Sequence, residues 1–304
     1  MIRTFNELTQ IARNTAAPKK VAVVAAHEEH VLEAVDLAHS AGILDPILIG
    51  DKGAIAAIIQ AHGYQLTAAE TIAAPGDVGA AQMAVSMVRE GAADFIMKGK
   101  LQTADLLREV VNKERGLSQG RVMSHFGIFE LPAYHKLLAV TDGGMVPHPT
   151  CDEKLDILTN AVDVLHVLGY EMPKVAVLTA TETTSPKMPE SIDAAKLKQL
   201  NETGEISGCI VEGPISFDLM FSEAAARVKG YASPVTGDAD LLVVPNMTCG
   251  NLLAKAFQFT AGAKMAGMIT GARVPIALVS RGAAAEEKYL SLLLCAVAAT
   301  TRDN

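Results

Sequence analysis

A chain of 304 residues, half of them hydrophobic, exceeds what a single core usually supports, so two domains are expected. A formal net charge of -8 argues against a nucleic acid or an anionic membrane as partner. Aromatic residues make up 4% with no Trp, and small aliphatic residues dominate; this excludes an aromatic-lined nucleic-acid platform and suits a close-packed α/β enzyme.

The opening MIRTFNELTQIARN is too polar for a signal peptide and reads as an amphipathic helix. No apolar run reaches transmembrane length. Strand-like and helical runs then alternate. KVAVVAAH leads into EHVLEAVDLAHSAG, PILIGD into GAIAAIIQAHG, and GAAQMAVSMVREGA precedes DFIMKG. The next helix, TADLLREVVNKERG, is expected to stop at Gly116. This alternation predicts a parallel, doubly wound sheet. Near Gly120 the texture changes to two extended runs close together, RVMSHFGIFEL and YHKLLAVTDGG, which predict a hairpin and a domain crossing. Alternation resumes with a helix over 153–168, the strand VAVLTA, helix AAKLKQLNETG, strand GCIVEGP, helix SEAAARVKG, strand LLVVP and helix NLLAKAFQFTAG.

The last stretch, from Val274 to Leu294, carries the chemistry. Val274 to Val279 reads as a buried strand, and a helix is expected from Ala283. Ser280, Arg281 and Gly282 therefore fall at the carboxyl end of a strand beside a helix N-terminus, where open α/β sheets bind ligands and free N–H groups favour an anion. The planar fork of Arg281 matches two phosphate oxygens. Other loops that follow strands add polar or basic groups: Lys98-Gly99-Lys100, with Thr103 placed to cap the next helix; Asp142-Gly143-Gly144; the TETTSPKMP loop with Lys187; and Asn246 before Cys249. His27 and His30 lack a third ligand and read as a polar helix start rather than a zinc pair. Cys151, Cys209, Cys249 and Cys295 are irregularly spaced with no CxxC pair, as for reduced thiols in a cytoplasmic protein, and nothing supplies Cys249 with a base.

The order of these strings resembles the phosphate acetyltransferase and phosphate butyryltransferase family, with the butyryl branch closer. The matching pieces are MKGKLQTADLLR, AVTDGGMVPHP, AVLTATETTSPKMPESIDA, EGPISFDLMF, SPVTGDADLLVVPNMTCGN and SRGAAAEEK, in the family's order over nearly the whole chain. The resemblance implies two doubly wound α/β domains of the isocitrate-dehydrogenase type with a cleft between them. Residues 1–123 with 283–304 would form the first domain, completed by the last helix, and residues 124–282 a second, dimerising one. It implies reversible transfer of a short acyl group, butyryl or related, between coenzyme A and inorganic phosphate. Coenzyme A would be a substrate, with no bound cofactor or metal, in a cytoplasmic homodimer or larger homo-oligomer. The Ser-Arg pair matches Ser280 and Arg281. The family's proposed acidic base falls at Glu287, where the acetyl branch has Asp, while butyryl-type members often place Glu at the position of Glu286; the resemblance implies one of the two as the base, and the helix dipole alone also accounts for two acids in a first helical turn. Lys98, Thr103, Arg108, Asp142, Lys187, Asn246 and Gly282 are the substrate-binding candidates. Three other readings stand beside this one: an acetyl-specific enzyme, a non-catalytic sensor of coenzyme A or acyl phosphate, and a metal-dependent dehydrogenase of the same fold. The last would need clustered Asp ligands, and Asp142, Asp218 and Asp240 are isolated in the sequence.

Overall fold

The computed structural model describes residues 1–15, 17–280 and 282–299, so Arg281 lies outside the described residues. By its contacts the chain divides into a first unit, Phe5–Arg121 with the segment from Ala266 onward, and a second, Met1–Thr4 with Val122–Met265.

In the first unit, helix α1 (Phe5–Arg13) precedes strand β1 (Lys19–Val24), and α2 (Glu29–Ser40), β2 (Leu44–Gly50), α3 (Lys52–His62), β3 (Glu70–Ala73), α4 (Gly76–Arg89), β4 (Phe95–Lys98) and α5 (Thr103–Val110) follow in alternation. Local chemistry sets the boundaries. Asp51 Oδ1 accepts the N–H groups of Gly53 and Ala54 at 2.9 and 3.0 Å to start α3, and Gly63 ends it at φ 67°, a left-handed conformation that glycine adopts without steric penalty. Helix α5 stops at Val110 instead of running to Gly116, because Asn112 turns the chain: its side-chain oxygen accepts the N–H groups of Glu114 and Arg115. Thr103 is the first helical residue of α5 rather than its cap; Gln102 holds the cap position, without a side-chain capping hydrogen bond.

The second unit opens with the antiparallel hairpin of β5 (Ser124–Glu130) and β6 (Leu137–Thr141). Then come α6 (Cys151–Val167), started by a capping box between Thr150 and Glu153, β7 (Lys174–Leu178), α7 (Pro189–Glu202) and β8 (Ile210–Ile215). Short helices α8 (Phe217–Phe221) and α9 (Glu223–Lys229), strand β9 (Leu241–Val243) and helix α10 (Met247–Thr260) complete it. Its strands lie in the order β5-β6-β9-β7-β8, parallel apart from the hairpin. Phe129, Leu138, Ile215, Leu242 and Phe257 belong to its core, and the Phe129 and Phe257 rings meet edge to face at 5.4 Å.

The chain returns through β10 (Lys264–Thr270), β11 (Ile276–Ala277) and α11 (Ala285–Ala298), giving the first unit the order β3-β2-β1-β4-β11-β10. β11 pairs parallel with β4 and antiparallel with β10, so the return begins at Ala266 rather than at residue 283. β11 is also far shorter than the run Val274 to Val279, and α11 starts two residues later than Ala283. α11 packs on α1 and α2 and buries Leu290, Leu292, Leu293 and Leu294, each worth about 1.5–3 kcal/mol in apolar burial. That burial anchors the segment after Ser280 to this unit.

Candidate active site

Three parallel strands of the first unit end side by side. The register sets Val24 opposite Lys98 and Ala277 opposite Met97, so the loops after β1, β4 and β11 leave the same edge. The β1 and β4 loops are pinned together: the N–H groups of Gly99 and Lys100 donate to the carbonyls of Val24 and Ala25, each at 2.8 Å. The approach is so close that a Cβ on Gly99 would lie 2.4 Å from both carbonyl oxygens. Only glycine fits that crossing.

These loops enclose a cavity of about 360 Å³ whose lining includes Glu28, Lys98, Lys100, Gln102, Ser280 and Lys288. Ser280 is exposed at its edge, while Lys98 and Lys288 are buried. Lys98 Nζ donates to the Gly99 carbonyl at 3.2 Å. Lys288 Nζ donates to the Ala283 carbonyl at 2.6 Å and lies 4.0 Å from Glu28 Oε2. Glu28 caps α2, accepting the N–H groups of His30 and Val31 at 3.1 and 2.9 Å. Two buried lysines and a serine thus line one cavity at the carboxyl ends of parallel strands; with Lys100 the lysines outnumber the acids Glu28 and Asp77, a balance suited to a small anion.

Of the other residues singled out in the sequence, Gly282 is exposed next to this loop, and Glu286 and Glu287 occupy the first turn of α11, exposed and half-buried respectively. Thr103 follows Gln102 at the start of α5. Arg108 is two-thirds exposed and pairs with Asp105 at 3.0 Å, one turn back on the same helix. Three candidates belong to the second unit. Asp142 is buried and accepts four N–H groups, from His125, Gly144, Met145 and Val146, at 2.8–3.2 Å, which makes it the organiser of its loop. His125, whose N–H is one of the four donors, has its imidazole pKa pushed down by burial, against the pull of the Asp142 carboxylate. Asn246 caps α10 through the Cys249 N–H at 3.0 Å and lines a cavity of about 530 Å³ with His148, Thr179 and Lys154. Lys187 is exposed in the loop before α7.

Lys288 is the residue the sequence reading passed over. It follows two acids in a first helical turn, the pattern of a solvated face. The signal lay in its spacing: Lys288, Ser291, Leu292 and Cys295 share one helical face, and all are buried. Among the described residues no group of three or more His, Cys, Asp or Glu side chains stands together as a metal-ion cluster, and no helix is long and apolar enough to cross a membrane.

Fold and site together define an α/β protein with a cationic cavity at its strand ends, in a two-domain architecture. The family model described as phosphate acetyl/butaryl transferase matches residues 54–296. The chain is 41% identical to the phosphate butyryltransferase of Clostridium acetobutylicum over 299 residues, 98% of this chain and 99% of that one. To the phosphate acetyltransferase of Thermotoga maritima it is 40% identical over 293 residues, 96% and 99% of the two chains. The crystal structure of a branched-chain phosphotransacylase from Enterococcus faecalis V583 superposes with a TM-score of 0.81 at 32% identity, covering 93% of this chain and 99% of that one. The chain belongs to the phosphate acetyl/butyryl transferase family.

Proposed function

We propose that the protein transfers a short acyl group reversibly between coenzyme A and inorganic phosphate. The observation that carries this reading is the placement of Ser280 with buried Lys98 and Lys288 around one cavity. In the direction of acyl-CoA synthesis, a carboxylate of the α11 first turn, Glu287 or Glu286, takes the proton of the coenzyme A thiol. A free thiol has a pKa of about 8.5, so this step supplies the thiolate that is scarce at neutral pH. The thiolate attacks the carbonyl carbon of the acyl phosphate. The tetrahedral oxyanion is stabilised by the Ser280 hydroxyl and neighbouring N–H groups. As it collapses the C–O bond to phosphate breaks, and phosphate leaves toward Arg281 and the lysines. The reverse reaction uses the same groups, with phosphate as nucleophile and the thiol recovering its proton. Holding both substrates together supplies much of the acceleration, through orientation. Thr103, Arg108 and Gly282 are our substrate-binding candidates in the first unit. Lys187 and Asn246 are those of the second, where Asp142 acts through the shape of its loop.

Identity to butyryl and acetyl enzymes is nearly equal, at 41% and 40%, so we assign a short acyl group of the butyryl type on the motif order rather than on identity. The reading includes no bound cofactor or metal, a cytoplasmic setting consistent with four free cysteines, and a homodimer or larger assembly. Leu252 and Phe259, 65% and 82% exposed one heptad apart on α10, support the last point.

The deciding experiment follows release of coenzyme A from acetyl-, propionyl-, butyryl- and isobutyryl-CoA with and without phosphate. Release that requires phosphate, survives EDTA and needs no nicotinamide cofactor is expected, fastest with a four-carbon acyl group. Release indifferent to phosphate removes the transferase reading. Arg281→Ala is expected to raise the KM for phosphate about 10- to 150-fold and to lower kcat, the loss of one charged hydrogen bond of about 1.5–3 kcal/mol, while its melting temperature stays put.

A further inference from the structure

We propose that Lys288 and Lys98 form a two-ammonium clamp for a phosphate-type oxyanion beside Ser280, an inference that rests on the acyl-transfer reading above. Lys288 is 3% exposed. Among the described residues its partners are the Ala283 carbonyl at 2.6 Å and, at 4.0 Å, a Glu28 carboxylate already accepting two helix N–H groups. An ammonium carries three donors, and a buried one is stabilised by close anions or a full set of hydrogen bonds. Two other buried lysines of the chain have such anions: Lys154 lies 2.7 Å from Asp193, and Lys136 lies 2.8 and 2.6 Å from Asp238 and Asp240. Lys288 instead faces the cavity that holds Lys98 and Ser280.

An oxyanion seated there meets both ammonium groups. It is also tied to the site's loop, because Lys288 holds the Ala283 carbonyl while the Ala283 N–H donates to the Ser280 carbonyl at 3.0 Å. The oxyanion has two sources in this reaction: the phosphate that accepts the acyl group, and the diphosphate arm of coenzyme A.

The test uses the full chain with Lys288→Met, Lys288→Arg and Lys98→Met. The rise in melting temperature with added inorganic phosphate is measured in parallel with the rise on adding coenzyme A, and KM is measured for each substrate. Lys288→Met and Lys98→Met are each expected to abolish the rise with phosphate and to raise the phosphate KM at least tenfold, with partial recovery in Lys288→Arg. If the coenzyme A response is lost instead, the clamp stands and holds the diphosphate arm. If Lys288→Met does not fold, Lys98→Met and Lys288→Arg decide by the same readings. Variants that keep both responses and both KM values overturn the clamp, whether or not they melt lower. Wild-type protein that binds phosphate but transfers no acyl group would remove the function and leave the site, so the two failures are distinct.

Discussion

Each unit buries lysines at one edge of its strands, and the two edges treat them differently. In the second unit, Lys136 reaches the carboxylates of Asp238 and Asp240 at 2.8 and 2.6 Å; Lys174 also reaches Asp238, and His135 closes the group at 2.9 Å. The Asp240 carboxylate is spent as well on the Lys174 N–H at 2.7 Å. Charges there balance within the protein. Lys288 in the first unit has a main-chain carbonyl at bonding distance and the Glu28 carboxylate at 4.0 Å. A matched cluster stabilises the fold and leaves little for a ligand; a buried ammonium without a carboxylate at bonding distance, as at Lys288, is stabilised by what it binds. The same residue type is thus paired off at one edge and, in the clamp we propose, left to a ligand at the other.

The contrast breaks first at Lys136. Lys136→Met leaves buried Asp240 without its ammonium, and removing one partner of a buried pair costs about 3–5 kcal/mol. Chemical denaturation should show that loss, with the phosphate KM unchanged in the fraction that stays folded. The same variant changes the acid response. Burial works to raise the Asp238 pKa, yet hydrogen bonds from Lys136, Lys174 and His135 hold it well below the ordinary carboxylate range. A depressed carboxylate stabilises the fold above the unfolded value of about 3.9 and loses that contribution as pH falls toward the folded one. Wild-type stability should therefore drop below about pH 4, and more shallowly in Lys136→Met. A smaller effect is expected at Gly99→Ala. Its Cβ would stand 2.4 Å from two carbonyl oxygens, an overpacking of about 1–3 kcal/mol that also spreads the cavity's loops, so lower stability and weaker phosphate binding should appear together. The smallest belongs to Arg108→Ala. Its pair with Asp105 is exposed, so stability should move by less than about 0.5 kcal/mol, and any rise in the coenzyme A KM would mark Arg108 as a substrate contact.

Much of the architecture is legible in the residues. Strand and helix periods separate cleanly from Lys19 to Lys98, and the hairpin of β5 and β6 shows in two extended runs joined by a short turn. The strand KMAGMIT, β10, does not show, because Lys, Met, Ala and Gly fill its first five positions and its β-branched residues, Ile269 and Thr270, come only at its end. Strand β3 is four half-exposed residues and carries little pattern. The brevity of β11 depends on pairing with partners far away in sequence, which no local window contains. Of the residues lining the cavity, Ser280 and Lys98 stand out in the sequence because both follow apolar runs at strand ends. Lys288 does not, since its burial comes from α11 packing against α2, a tertiary event that turns an ordinary helix lysine inward.

The most direct measurement is a crystal structure of the protein soaked in inorganic phosphate. The anion is expected in the cavity of Lys98, Ser280 and Lys288, within hydrogen-bonding distance of both ammonium groups. Phosphate bound elsewhere while that cavity holds only water would contradict it.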